Sequence, residues 1–502
     1  MLDTPEYSNP FPGLRSFEPE EDHLFFGREA RIDEILTRLR RSRFLSVVGT
    51  SGSGKSSLIR SGLIPSLHSG MMASAGSSWR IAIFRPGEDP IGNLAEALNS
   101  PDVIGQADDS SDTNKAFLEV TLRRSQMGLV EAIRQARIPA HENILIIADQ
   151  FEELFRFKNS RQLRESHDDA IAFVKLLLNA VSQQQIPIYV VITMRSDFIG
   201  NCTEFDGLTE AINDGQYLVP RMDREERRSA ITGPVAVGGA EISPRLVLRL
   251  LNDVGDDPDQ LPILQHAMMR TWEYWQQNHV EGDPIDLSHY EAIGTMSEAL
   301  SRHAEETYLE LETPERKLIA EKMFKALTDR GSDARGVRSP RRLEEICALT
   351  GASQAEVISV IDVFRRPGRS FLMPPADVEL HAASVIDISH ESLMRIWTRL
   401  IQWVDEEARS AQMYLRISRA ALQHQEGQAG LLRDPELQLA LNWRDEARPT
   451  VTWAERYDPA FERAMLFLEE SERQLVDRHE PKRDREPDEQ GVACAAPEAQ
   501  EK

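Results

Sequence analysis

The stretch from Phe44 to Ser57, FLSVVGTSGSGKSS, constrains this chain more than any other. It satisfies G-x-x-x-x-G-K-[ST] through Gly49, Gly54, Lys55 and Ser56, follows an apolar run readable as a strand (Phe44 to Val48), and opens an apolar-periodic helix through Leu58, Ile59 and Leu63. A glycine-rich loop between strand and helix turns successive backbone N–H groups inward, and the helix adds the positive end of its dipole. Gly49, Thr50, Ser51, Gly52, Ser53 and Gly54, with Lys55, Ser56 and Ser57, therefore read as a triphosphate cradle. Lys55 is placed to reach the β- and γ-phosphates, and the Ser56 hydroxyl to ligate Mg²⁺.

Such a loop belongs to a parallel sheet. Further apolar runs at 79–84, 143–149, 188–194 and, more briefly, 217–219 alternate with helical patterns, one of them at 115–136. Bounded, continuous runs of this kind suit strands covered on both faces. The pattern predicts an α/β P-loop sheet domain over residues 24–222, preceded by an extended segment, 1–23. From Asp223 the strand-like runs stop, and 223–287 reads as a small helical domain. Residues 288–407 carry helices at 296–329, 340–350 and 354–365, a hairpin (370–373 and 385–388) and a final helix, the order expected of a winged helix. Residues 408–474 read as helical, and 475–502 are too polar to bury a core and are expected to be disordered.

Charge limits the partners. Fifty-eight Lys+Arg against 82 Asp+Glu give a net charge of −24, which opposes general attraction to nucleic acid or an anionic membrane, so phosphate affinity has to be local. Cys202, Cys347 and Cys494 form no C-x-x-C pair, which suggests neither zinc nor disulfides. The N-terminus lacks a signal pattern and no apolar run approaches a membrane span, so a cytoplasmic location is expected.

Asp149 ends an apolar strand in ILIIADQFEELF, where a P-loop ATPase holds Mg²⁺ through its water shell. Glu152 and Glu153 follow closely, and either can polarise the attacking water or belong to a solvated first helical turn. Arg195 closes the fourth strand in TMRSDF, where it would either bridge γ-phosphate oxygens or pair with an acid such as Asp197.

The segments NPFPGLRSFEPEEDHLFFGRE, GTSGSGKSS, IIADQFEELF, TMRSDF, DQLPILQHAM and IDISHESLMRIW, in that order, resemble the STAND class of signal-transduction ATPases in its bacterial novel STAND subgroup, from about Asn9 to Gln474. The resemblance implies a nucleotide-binding domain, a helical lid and a winged helix, closed around ADP at rest and opened by ATP into an oligomer. It also implies that Phe26, Gly27 and Arg28 lie at the adenine, that Pro262 touches base or ribose from the lid, and that His390 reaches the β-phosphate. The residues alone leave other roles open: core aromatics at Phe25 and Phe26, helix initiation at Pro262, a satisfied histidine at 390.

Two departures stand out. Gln150 follows Asp149 where faster P-loop ATPases usually carry the catalytic Glu, which favours slow hydrolysis. Members of this subgroup often carry an effector domain or a β-propeller sensor and neither is read here; an unidentified sensor or effector protein is expected as a partner. The expected function is a Mg·ATP/ADP switch with slow ATPase activity that self-associates with ATP in bacterial signalling or defence. The alternatives are an AAA+ remodelling motor, or a winged-helix DNA-binding regulator using the basic group Arg338, Arg341, Arg342, Arg365, Arg366 and Arg369.

Overall fold

A computed structural model gives the fold and describes residues 8–105, 111–139, 141–156, 163–255, 260–280, 282–329 and 337–479. Five strands, β1 (Phe44–Gly49), β2 (Trp79–Phe84), β3 (Asn143–Ala148), β4 (Ile188–Arg195) and β5 (Gln216–Leu218), form one parallel sheet in the order β2-β3-β4-β1-β5. The central strands β1, β3 and β4 are buried along almost their whole length, and their largely apolar sequences follow from burial on both faces. Along β3, Ile144, Ile146 and Ala148 enter one core while Leu145 and Ile147 enter another; β4 divides likewise, Val190 and Ile192 against Tyr189 and Val191. Register then sets the site. Gly49 lies beside Arg195, and Ala148 beside Ile192. The P-loop, Asp149 and Arg195 thus leave the sheet along one carboxyl edge, where ligands of open α/β sheets bind.

Beyond the sheet the chain is mostly helical. Asp223 starts the helix Arg224–Val237 by accepting from the N–H groups of Glu225 and Glu226, each at 2.8 Å. Ser243 caps Pro244–Asp253, with Pro244 in a first turn that has no use for its missing N–H. These helices, with Gln260–Asn278 and Leu287–Ala292, enclose a core around Leu250, Trp272, Trp275 and Tyr290 that also takes in Phe11, Met296 and Ala299. Next come helices Thr295–Leu309 and Pro314–Ala326, strands β6 (Thr328–Asp329), β7 (Val337–Arg338) and β8 (Arg341–Arg342), and helices Leu343–Thr350 and Gln354–Arg365. Strands β9 (Leu372–Met373) and β10 (Val385–Ile388) and the helix Glu391–Ile396 complete this region. β6 pairs antiparallel with β7, and β10 lies antiparallel between β8 and β9.

The chain divides after Ile401 into a second unit, 402–502. Its described part packs Tyr414, Leu437, Phe467 and Leu468 together. The Glu407 carboxylate there accepts from Trp453 Nε1 at 2.8 Å, Arg456 Nη1 at 2.9 Å and the Tyr457 hydroxyl at 2.7 Å.

Several elements differ from the sequence reading. The helix expected at 115–136 is two, Ser111–Arg124 and Gly128–Gln135, because the chain turns so tightly that a Cβ on Gly128 would lie 2.4 Å from the Thr121 carbonyl oxygen. The helix expected at 296–329 breaks where the Thr313 hydroxyl caps a new helix opened by Pro314. The helix expected from Pro340 starts only at Leu343, since Arg341 and Arg342 pair with β10. Within the segment read as extended, Phe11, Leu14 and Phe17 are buried and Pro19–Leu24 forms a 3-10 turn. The helix Phe461–His479 runs past Leu475; the rest of the expected tail, with Cys494, lies outside the described residues. Among the described residues no single helix is long and apolar enough to cross a membrane.

His266 and His303 form a buried pair, Nε2 to Nδ1 at 3.0 Å, beside the Phe371 ring. Burial pushes His266 down to about 3 and His303 well below the ordinary value, and Arg270 disfavours a proton on either ring. An unfolded histidine titrates near 6.5, so the unfolded chain binds more protons below that pH; stability is full above it and falls on acidification. The melting temperature should therefore drop between about pH 7 and about pH 5, and His303→Gln should flatten that slope. Scanning calorimetry at several pH values reads this, and equal slopes in the two proteins would contradict a neutral buried pair.

Candidate functional site

A cavity opens where the carboxyl edge of the sheet meets the N-terminal segment, the helix Gln260–Asn278 and the residues after β10. One end is largely apolar, with Phe25, Phe26, Met222, Leu261 and Pro262 on its wall. The other is charged, with Lys55, Arg85, Asp149, Glu152, Arg195, Arg338 and Glu391. Apolar walls together with the cationic side chains of Lys55, Arg85, Arg195 and Arg338 suit a nucleotide's base and phosphates.

The P-loop forms the floor. Gly52 and Gly54 hold φ of +69° and +84°, open to glycine without strain, so the loop can turn its N–H groups inward. Lys55 Nζ donates to the loop's own carbonyls, Gly49 O at 3.1 Å and Thr50 O at 2.9 Å. Burial pushes the ammonium below the usual lysine value, with Glu152 and Asp149 pulling the other way. The Ser56 hydroxyl donates to Asp149 Oδ1 at 2.9 Å, and Thr193 Oγ1 donates to the same oxygen at 2.6 Å. A hydroxyl and a carboxylate so placed are hard oxygen donors that fit Mg²⁺, an ion that takes few protein ligands and completes its shell with water and phosphate. Three-carboxylate or His/Cys clusters are absent among the described residues, and Mg²⁺ bound this way requires none.

The two glutamates separate. Glu152 is buried, lines the cavity and accepts from the Arg195 N–H at 3.3 Å. Glu153 opens the short helix Glu153–Arg156 and points elsewhere, accepting from Gly87 N–H at 3.0 Å; burial pushes its carboxyl up against the pull of Arg85 and Arg338. Arg195 lines the cavity and forms the acid pair of the two alternatives. Its guanidinium grips Asp197 through Nε (3.2 Å) and Nη2 (2.6 Å), while Nη1 reaches Glu391 at 2.8 Å on the cavity wall.

Residues expected at the base divide too. Phe26 lines the cavity and packs on Gly233, where a Cβ would meet its ring at 2.4 Å. Gly27 stays off the wall; at φ +82° its missing Cβ makes room for the Glu226 carbonyl. Arg28 reaches the wall but is committed behind the loop, donating to Pro220 O at 3.0 Å and Ser53 O at 3.3 Å, so it fastens the P-loop to the end of β5. Gly49, Thr50 and Ser53 face a second cavity on the loop's other side. Pro262 is the third residue of Gln260–Asn278 and lines the first cavity. His390 caps the helix Glu391–Ile396: Nδ1 accepts from Ser392 N–H at 3.1 Å, which leaves the ring proton on Nε2. Burial, partly offset by Glu391, pushes this histidine down to about 4.

Sequence reasoning gave no role at the cavity to Glu391, Arg338, Arg85 or the segment Gly13 to Phe17, all on its wall. Glu391 accepts from Ser51 Oγ in the P-loop as well as from Arg195. Burial alone would raise its carboxyl, but Arg338 and Arg195 hold it down to about 2. Arg338 bonds Asp387, the Ile388 carbonyl and Gln150. The only hint in the sequence was adjacency, an acid directly after His390.

The family model described as Novel STAND NTPase 1 matches residues 10–430, well over half of the chain. No curated protein matches. Similar solved structures include the Aeropyrum pernix ORC2 protein in ADPNP–ADP complexes (11% identity, TM-score 0.42, covering 81% of this chain and 98% of that one). Cdc6p from Pyrobaculum aerophilum is another (14% identity, TM-score 0.32, 76% and 94%). The Aeropyrum pernix ORC1 protein in complex with DNA is a third (12% identity, TM-score 0.38, 78% and 94%). Likeness at these scores adds nothing to what the sheet and its loop already establish.

Proposed function

We propose that this chain, which belongs to the Novel STAND NTPase 1 family and is a P-loop ATPase, works as a Mg·ATP/ADP switch with slow turnover whose output is a change of conformation and self-association. The observation that carries this reading is the Ser51–Glu391–Arg195 chain of bonds, which ties the P-loop and the end of β4 to the start of the helix Glu391–Ile396. Phosphates entering the cradle act on the same groups that close the cavity, so occupancy and closure are linked. We read residues 24–222 as the nucleotide domain, 223–287 as a helical lid, 288–407 as a winged helix and 408–474 as a helical appendage.

In this reading Lys55 and the P-loop amides bind the phosphates, and Ser56 and Asp149 hold Mg²⁺, which neutralises charge on the phosphate oxygens when bound. Glu152 takes a proton from the attacking water, and Arg195 senses the γ-phosphate. His390 donates from Nε2 to a phosphate of ADP in the closed state. A role in bacterial signalling or defence, with a separate sensor or effector protein, accords with the family.

The placement of the basic group gives the DNA-binding alternative less support than the switch. Arg338 and Arg365 are buried, Arg366 and Arg369 pair with Glu310, and Arg341 pairs with Glu345 at 3.4 Å. Five of the six arginines are thus buried or paired with a carboxylate, and Arg342 is exposed.

If His390 ties closure to ADP, His390→Ala removes a contact made in one state of a two-state equilibrium. A charge-assisted hydrogen bond is worth about 1.5–3 kcal/mol, so the open fraction should rise roughly tenfold to a hundredfold. Size-exclusion chromatography with light scattering should show the variant self-associating with ATP at lower protein concentration than wild type. A variant that stays monomeric with ATP and holds ADP as tightly as wild type would refute the latch.

A further inference from the structure

Gln150 is held from both ends. It follows Asp149 at φ +60°, and of the five non-glycine residues with positive φ among those described it alone lines the cavity. A side chain of this size enters the left-handed region only where its surroundings hold it there. Its N–H donates to Thr193 Oγ1 at 3.0 Å, the hydroxyl that also serves Asp149, and the next N–H, from Phe151, donates to the Thr193 carbonyl at 2.8 Å. The side chain is fixed from far away in sequence: Gln150 Oε1 accepts from Arg338 Nη2 at 2.9 Å.

Arg338 is buried on β7. Its other arm donates to the Asp387 carboxylate and to Ile388 O at 3.0 Å, both on β10. Asp387 in turn lies 3.6 Å from Arg85, just past the end of β2. The planar fork of one guanidinium therefore spans from β10 to the turn that joins the metal-binding carboxylate to the water-activating one.

We infer that Arg338 is a positioning residue that brakes hydrolysis: through Gln150 it fixes the turn between Asp149 and Glu152, so turnover is restrained as long as the β7–β10 region is docked on the sheet edge. This rests on the reading that the cavity hydrolyses nucleotide, and it adds to that reading a direct grip of a distant region on the residue beside Asp149. A purely structural ion pair between Arg338 and Asp387 would leave position 150 independent of residue 338. A brake makes the two interdependent.

Gln150→Glu separates these possibilities. A free carboxylate there can take a proton from water as the water oxygen bonds the γ-phosphorus, while the bond to the bridging oxygen breaks and its electron pair leaves with ADP. With Arg338 in place the new carboxylate is captured in a salt bridge and cannot serve. Steady-state phosphate release should therefore stay within about threefold of wild type in Gln150→Glu alone, and rise at least about tenfold when Arg338→Met is added. Gln150→Glu with Arg338→Lys should rise as well, since lysine keeps a cation for Asp387 but lacks the fork to reach both partners. This second background decides the matter if Arg338→Met does not fold.

ADP affinity is measured on every variant by titration calorimetry. Acceleration by Gln150→Glu alone, or double variants no faster than it with ADP still bound, would overturn the brake and leave the nucleotide site standing. Wild type that binds no ADP at all would overturn the nucleotide reading and the brake with it.

Discussion

Lys55→Ala should lose tight nucleotide binding by roughly a hundredfold or more, since charge-assisted hydrogen bonds to phosphate oxygens are worth about 1.5–3 kcal/mol each and the ammonium makes more than one. The fold should survive. The bonds Lys55 makes now go to Gly49 and Thr50 of its own loop, so truncation removes no packing from either core. Titration calorimetry with ADP and ATP reads the affinity and a thermal melt reads the fold. An affinity close to wild type would place the phosphates somewhere other than the P-loop.

The second large effect separates two neighbouring acids. Glu152→Gln should reduce turnover by about a hundredfold to ten-thousandfold, the range a positioned general base contributes, while sparing ADP affinity. Glu153→Gln should leave turnover within about threefold of wild type, because its carboxylate serves the Gly87 N–H rather than the cavity. Phosphate release under saturating Mg·ATP distinguishes them. Equal losses in both variants would mean that the turn after Asp149 rearranges before the chemistry.

What could be read from the sequence was what depends on local pattern. Strands buried on both faces are largely apolar, so β1, β3 and β4 announce themselves, and a P-loop between strand and helix fixes where the phosphates go. Once those strands pair in parallel, Asp149 and Arg195 come to the same edge, with Gly49 and Arg195 directly in register. The orientation of Glu152 against Glu153 was not legible. It depends on the left-handed turn at Gln150, which shifts the phase before the helix begins.

Long-range polar contacts were equally hidden. Ser51 and Glu391 lie 340 positions apart, and an isolated acid or arginine in a charged sequence looks like any solvated side chain until the fold buries it. The arginine group shows the converse: Arg338 and Arg365 are buried and pair with Asp387 and Asp362, Arg341 pairs with Glu345, and Arg366 and Arg369 share Glu310. The two helix breaks each carried a signal, Gly128 at one and Thr313-Pro314 at the other, which helical periodicity alone passes over.

The nucleotide that the purified protein retains tests the switch most directly. Protein purified without added nucleotide, denatured with acid and analysed by ion-pair chromatography should release ADP in stoichiometric amount, and Lys55→Ala handled in parallel should release almost none. Wild-type protein that emerges free of nucleotide, exchanges added ADP within seconds and turns over ATP rapidly would contradict a switch held closed by ADP.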